Sequence, residues 1–157
     1  MTLRIHIGGL PSERARFAAS PLAELTAMLH VLAEPGHHPR LAEWARDVRT
    51  ALPPELAERL REAEFLWRSS QADFLLPARP RATLAEELDD VDRIDDASYA
   101  TAALVTTCGS SRVRAAPSPL TDAAARRRAL DLAQARGGRQ EAFAERLLAD
   151  PAGVRTW

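Results

Sequence analysis

Apolar positions in this chain recur mostly at helical spacing. From Pro21 onward, Leu22, Leu25, Met28, Leu29 and Leu32 form a stripe whose members stack three or four residues apart. Ser20 ahead of them offers an N-cap oxygen, Pro21 fits the first helical position, and Pro35-Gly36 stops the run. A second helix is expected from Pro39 to Leu52, with Leu41, Trp44, Val48 and Leu52 on one face. Pro53-Pro54 opens a third, in which Leu56, Leu60, Ala63 and Trp67 recur turn by turn. Such short connections favour antiparallel neighbours, so these three helices are expected to form one packed unit.

The helical period lapses at Ser69. The stretch SSQADFLLPARPRAT reads as an extended crossing, pinned to the bundle by Phe74, Leu75 and Leu76. Thr83 and Glu86 stand at capping-box spacing and start a fourth helix with Leu84, Leu88 and Val91 turned inward; a fifth covers Ala97 to Thr107. Gly109 to Pro119 is rich in Ser, Gly and Pro and reads as a loop or subdomain boundary. Helices follow from Thr121 or Asp122 to about Ala135 and from Arg139 to Leu148. Pro151 opens another that is barely one turn long at Trp157, so the apolar face begun by Val154 and Trp157 suggests a front part of something longer. At the other end, Leu3, Ile5 and Ile7 alternate with Arg4 and His6, the period of a short strand; residues 15 to 19 read equally well as its partner or as a helix start.

The expected architecture is therefore mainly α, a compact bundle of about six to seven helices with a short N-terminal β-strand or hairpin. Its parts are a strand and helical core over residues 1–108, a loop over 109–119, and C-terminal helices over 120–157 in the same domain. With 157 residues, 46% hydrophobic, the chain is long enough to bury one core. Aromatic residues make up 5%, so Leu, Ala and Val must fill it, which suits closely packed helices.

Charge changes the picture little. The net charge of −1 gives no whole-chain basic field for nucleic acid or an anionic membrane. Its distribution is uneven: 11 Arg against 10 acids up to Ala85, one against seven over Glu86 to Asp96, and nine against five thereafter. The single cysteine, Cys108, excludes an internal disulfide and suits a reducing cytosol. No membrane span or signal peptide is visible, so the expected location is cytoplasmic.

Candidate chemistry is sparse. His30, His37 and His38 carry a common metal-ligating side chain, yet no ligand-spacing motif accompanies them, and neighbouring side chains diverge; a packed His30 beside a turn-stabilising pair is the preferred reading, with no metal or other cofactor expected. The acids of EELDDVDRIDD lack the glycine and spacing of a calcium loop and are assigned to the solvated face of a helix. Arg126, Arg127 and Arg128 point about 100° apart around a helix, which wraps it and makes no groove-reading stripe. Trp44, Trp67, Phe65 and Phe74 are candidates to line a ligand pocket, with core packing as the plainer assignment. Cys108, Ser110 and Ser111 share one loop without a nucleophile elbow, and no phosphate-cradling glycine motif occurs, so catalysis is not expected.

The run PLAELTAMLHVLAEPGHHPRLAEWARDVRTALPPEL, followed by LW at 66 to 67, DFLLPARP at 73 to 80 and TLAEEL at 83 to 88, resembles the N-terminal part of an actinobacterial family of ArsR-like winged-helix regulators. The early RIHI and the late RQEAFAERLLADPAGVR extend the likeness over nearly the whole chain. In such proteins an N-terminal region of unknown function precedes a DNA-binding winged helix. The resemblance implies a ligand-sensing or dimerisation module, with homo-oligomers or its own winged helix as partners and DNA contacted only through that further domain. Two other expectations stand beside it: a freestanding helical interaction protein using the acidic Glu86 to Asp96 face, and a small metal-dependent enzyme.

Overall fold

A computed structural model describes residues 8–9, 11, 18–114 and 117–156. The strand expected over Leu3 to Ile7, with His6, lies outside them, as does Trp157, and no strand occurs among the described residues. These residues form eight α-helices: α1 (Pro21–Ala33), α2 (Ala42–Ala51), α3 (Pro54–Ala63), α4 (Leu84–Asp92), α5 (Asp96–Cys108), α6 (Ala123–Gln134), α7 (Gly138–Ala149) and α8 (Pro151–Thr156). The count exceeds the expected six to seven because the short α8 is a helix in its own right. None is long and apolar enough to cross a membrane.

α5 is the axis of the bundle. It packs on α6, α7 and α8 and on the short 3-10 turns Glu64–Leu66, Asp73–Leu75 and Ser111–Val113. Its inner side is Tyr99, Ala100, Ala103, Leu104, Thr107 and Cys108. Alanine on both sides of a contact lets helix backbones approach closely: Ala100, Ala103, Ala133 and Ala144 have no exposed surface. Asp95 caps the start of α5 through the Ser98 N–H, and Gly109, at φ +62°, ends it in the left-handed region that glycine enters without steric cost.

Within the run 109–119, Val113 is 5% exposed and Pro119 is fully buried, so these two side chains pack into the fold. Val154 of α8 also joins the core, at 6% exposure. Arg155 next to it reaches back to the Asp92 carbonyl at 2.8 Å and to the Asp96 carboxylate, and its guanidinium lies 4.8 Å from the Tyr99 ring. Phe74 stacks on the same tyrosine at 4.7 Å, which pins the 69–83 crossing to α5. Ala72, Phe74 and Leu75 do this work, while Leu76 is exposed.

The acidic stretch is the main departure from the expected pattern. In α4 the side chain buried is Glu87, at 1% exposure, while Leu88 points outward at 44%. Pro21 has no N–H, Ala23 N–H donates to the Ser20 hydroxyl, and Glu24 N–H donates to the Ser20 carbonyl, leaving Leu22 N–H at the start of α1 without a local acceptor. Glu87 Oε2 accepts it at 2.7 Å and accepts the Ser20 hydroxyl at 3.0 Å, while Oε1 accepts the Arg81 N–H at 3.0 Å. Burial pushes the Glu87 pKa up, but these three donors outweigh it and hold the carboxyl below its ordinary range. A negative charge at the positive end of α1 is also favourable. The rest of the stretch is largely spent internally: Glu86 closes the capping box with Thr83, Asp90 binds Arg81 and Arg93, Asp95 caps α5, and Asp96 binds Arg155.

Candidate functional site

Helix α1 carries its stripe differently from a simple inward face. Leu22 and Thr26 are buried, whereas Leu25 and Met28 are 36% and 48% exposed; Thr26 returns its hydroxyl to the Leu22 carbonyl at 2.7 Å. Towards its C-terminal end, Leu29, Leu32 and Ala33 face α2 and α3 across an open space. The 3-10 turn before α2 exposes Leu41, and α2 keeps Trp44 and Val48 half-buried, with Ala45 its buried residue; α3 exposes Leu56 and buries no side chain fully. The Leu56, Leu60, Ala63, Trp67 stripe is therefore broken, because α3 ends at Ala63 and the 3-10 turn Glu64–Leu66 rotates Trp67 into the core.

The result is a cavity of about 350 Å³, in the size range of small-molecule sites. Its walls are Leu29, Leu32 and Ala33 of α1, Leu52 just after α2, Ala57 and Leu60 of α3, and Trp67. Its polar groups are Arg49, Arg61 and Glu64. Arg61 binds Glu58, while Glu64 accepts from Arg68 at 3.0 Å and from Arg139 at 3.2 Å. Arg139 also donates to the Arg61 carbonyl and lies 5.4 Å from the Phe65 ring. A larger space of about 560 Å³ beside Phe143 is walled mostly by Glu58, Arg61, Glu62, Arg139 and Arg146, with Arg146 on Glu62, so its lining is the more polar of the two.

The histidines lie next to this cavity. They do not diverge: the His30 ring is 5.9 Å from that of His37 and 5.2 Å from that of His38, the latter edge-on. Two successive 3-10 turns, Pro35–His37 and Pro39–Leu41, fold the chain back and bring both rings to α1. His30 Nδ1 lies 3.2 Å from the Trp67 carbonyl, which ties the cluster to the cavity wall. Glu34, the residue that ends α1, is bound by Arg68, which holds its carboxyl below the ordinary range; the charges of His37 and His30 add to this. Among the described residues no group of three or more His, Cys, Asp or Glu side chains is arranged to hold a metal ion.

The remaining candidates separate. Trp44 faces Met28, Val31 and Leu41 in a shallow groove on the other side of α1. Arg126 donates to the Leu148 carbonyl at 2.9 Å, whereas Arg127 and Arg128 are exposed and Arg128 flanks a groove with Arg112 and Asp131. Cys108 is buried and donates weakly to the Ala129 carbonyl at 3.4 Å; burial raises its pKa to about 11, which makes it a poor nucleophile. Ser110 caps the following 3-10 turn. Arg49, Glu64 and Glu87 are the polar residues that sequence reading missed, since each is defined by groups 15 or more residues away.

At the level of known proteins, no curated protein and no solved structure matches the chain. A family model covers it from end to end, over residues 1–157, and the chain thus belongs to the family of unknown function DUF5937.

Proposed function

We propose that this chain is the regulatory module of a winged-helix transcription regulator, sensing a small-molecule effector while DNA is contacted through a winged helix outside these residues. The observation that carries the sensing role is the apolar cavity between α1, α2 and α3, built from half-buried Leu and Ala side chains on helices that contribute little to the fully buried core. The regulator assignment draws on the resemblance of Pro21 to Leu56 and its later segments to ArsR-like proteins. Binding there changes how α1 to α3 sit on one another, which is a direct route to a change in helix packing.

The test uses N-phenyl-1-naphthylamine, a neutral apolar dye. It should bind the chain with saturable fluorescence, and Ala57→Phe, which fills the cavity, should abolish that signal without unfolding the protein. Equal dye binding by both proteins would overturn the assignment of the cavity. In gel-shifts the 157-residue chain should leave promoter DNA unretarded, whereas tight sequence-specific retention would end the division of labour. Exposed Leu25 and Met28 on α1, with Leu41 in the turn before α2, favour self-association as the second part of the role. Sedimentation should then show a dimer that Met28→Glu dissociates; a monomer at all concentrations removes that part.

A further inference from the structure

The charges around the cavity are not balanced. Glu64, the lining carboxylate, is already engaged by both Arg68 and Arg139, and Arg61 is engaged by Glu58. Arg49 differs: its partner among the described residues is the Leu32 carbonyl at the C-terminal end of α1, and it binds no carboxylate there. A guanidinium has five N–H donors in a planar fork, so most of this one remains open to an acceptor. Arg49 is also exposed, placed at the mouth of the cavity with Leu29, Leu52 and Leu60 inside.

This arrangement selects a ligand with one charged end and an apolar body. A cation meets two guanidiniums and a carboxylate that is doubly occupied. A charge carried deep among the leucines loses its hydration without a partner, whereas a charge held at the rim keeps part of its water and gains a charge-assisted hydrogen bond. We propose that the cavity takes an amphipathic monoanion, an aliphatic or aromatic carboxylate. Its apolar body lies between α1, α2 and α3 and its carboxylate on Arg49. The assignment rests on the reading of the cavity as an effector site and adds the chemical class of the effector.

Octanoate and octan-1-ol separate the two. They share one chain length, and by apolar transfer alone the alcohol is the better occupant. In displacement of the bound naphthylamine dye, octanoate should compete about tenfold or more better than octan-1-ol. Arg49→Met should remove that preference, read as the ratio of the two competitors on the same variant, and Arg61→Met should reduce it less because Glu58 holds Arg61. Octan-1-ol competing as well as octanoate on the unaltered chain overturns the monoanion proposal while the cavity stands. Loss of the preference in Arg61→Met with Arg49→Met unaffected overturns the role of Arg49. Failure of the dye itself to bind is a failure of the effector-site reading, seen before either competitor is added.

Discussion

In α5, α6 and α7 the packing is closed: Ala100, Ala103, Leu104, Ala133, Ala144 and Leu147 have no exposed surface. In α1, α2 and α3 the buried side chains are Leu22, Thr26, Val31 and Ala45, α3 buries none fully, and the Leu residues around its contact leave a cavity. Both regions are built of packed helices. The closed region mixes small residues, Ala100, Ala103, Ala133 and Ala144, with Leu104 and Leu147, which lets side chains fill the space between backbones, whereas Leu29, Leu52 and Leu60 border open space. A protein that binds a ligand between helices needs both kinds of contact, one to hold the fold and one that a ligand completes.

The largest break in this contrast should come from Leu147→Ala, which removes a fully buried side chain and is expected to cost about 2–5 kcal/mol in denaturant unfolding. Leu60→Ala, on the cavity wall, should cost less, about 1 kcal/mol, because that side chain is only partly buried and the space around it is already open. Equal costs would mean that the two regions are packed alike.

Next is Glu87, which ties α4 to the start of α1. Its folded pKa lies below the ordinary value of 4.5, so the stability it supplies is present above about pH 4.5 and is lost as pH falls through the lower folded value. Glu87→Gln should lower the melting temperature at neutral pH and narrow the gap between variant and parent in acid. A gap that does not change with pH would show that the carboxylate charge is not what α1 uses.

The helix caps should have effects near that of Leu60→Ala. Thr83→Ala breaks an exposed local capping box and should cost about 1 kcal/mol. Ser20→Ala should cost more, about 1–2 kcal/mol, since the same hydroxyl caps Ala23 and donates to Glu87. A Thr83 effect as large as that of Ser20 would remove the link between the two helix starts.

These effects bear on how far the fold can be read along the chain. The starts at Ser20-Pro21, Thr83 and Asp122 and the stop at Gly109 are visible in sequence because a cap is satisfied within a few residues of itself. Leu88 misleads at the same range: an apolar residue three or four places from Leu84 and Val91 implies an inward face, yet α4 turns Glu87 inward to meet an N–H 65 residues away. The Pro and Ser of the run after Cys108 likewise say nothing of the burial that Val113 and Pro119 find.

The candidate site was less legible still. Trp67 lines the cavity, and the three histidines gather beside it. Nothing in the spacing of Arg49, Glu64 and Leu32 marks them as neighbours, because their contact depends on the angle at which α2 and α3 leave Pro53 and on the turn at Glu64–Leu66. The order of residues was enough for a helical chain, its caps, its Ala-rich and Leu-rich stretches and its lack of a catalytic motif, since these depend on near neighbours and side-chain type. Which acid is buried, where a cavity opens and which arginine faces it without a carboxylate were settled by packing. These are sums over contacts between segments far apart in the chain, and a single local pattern is compatible with many such sums.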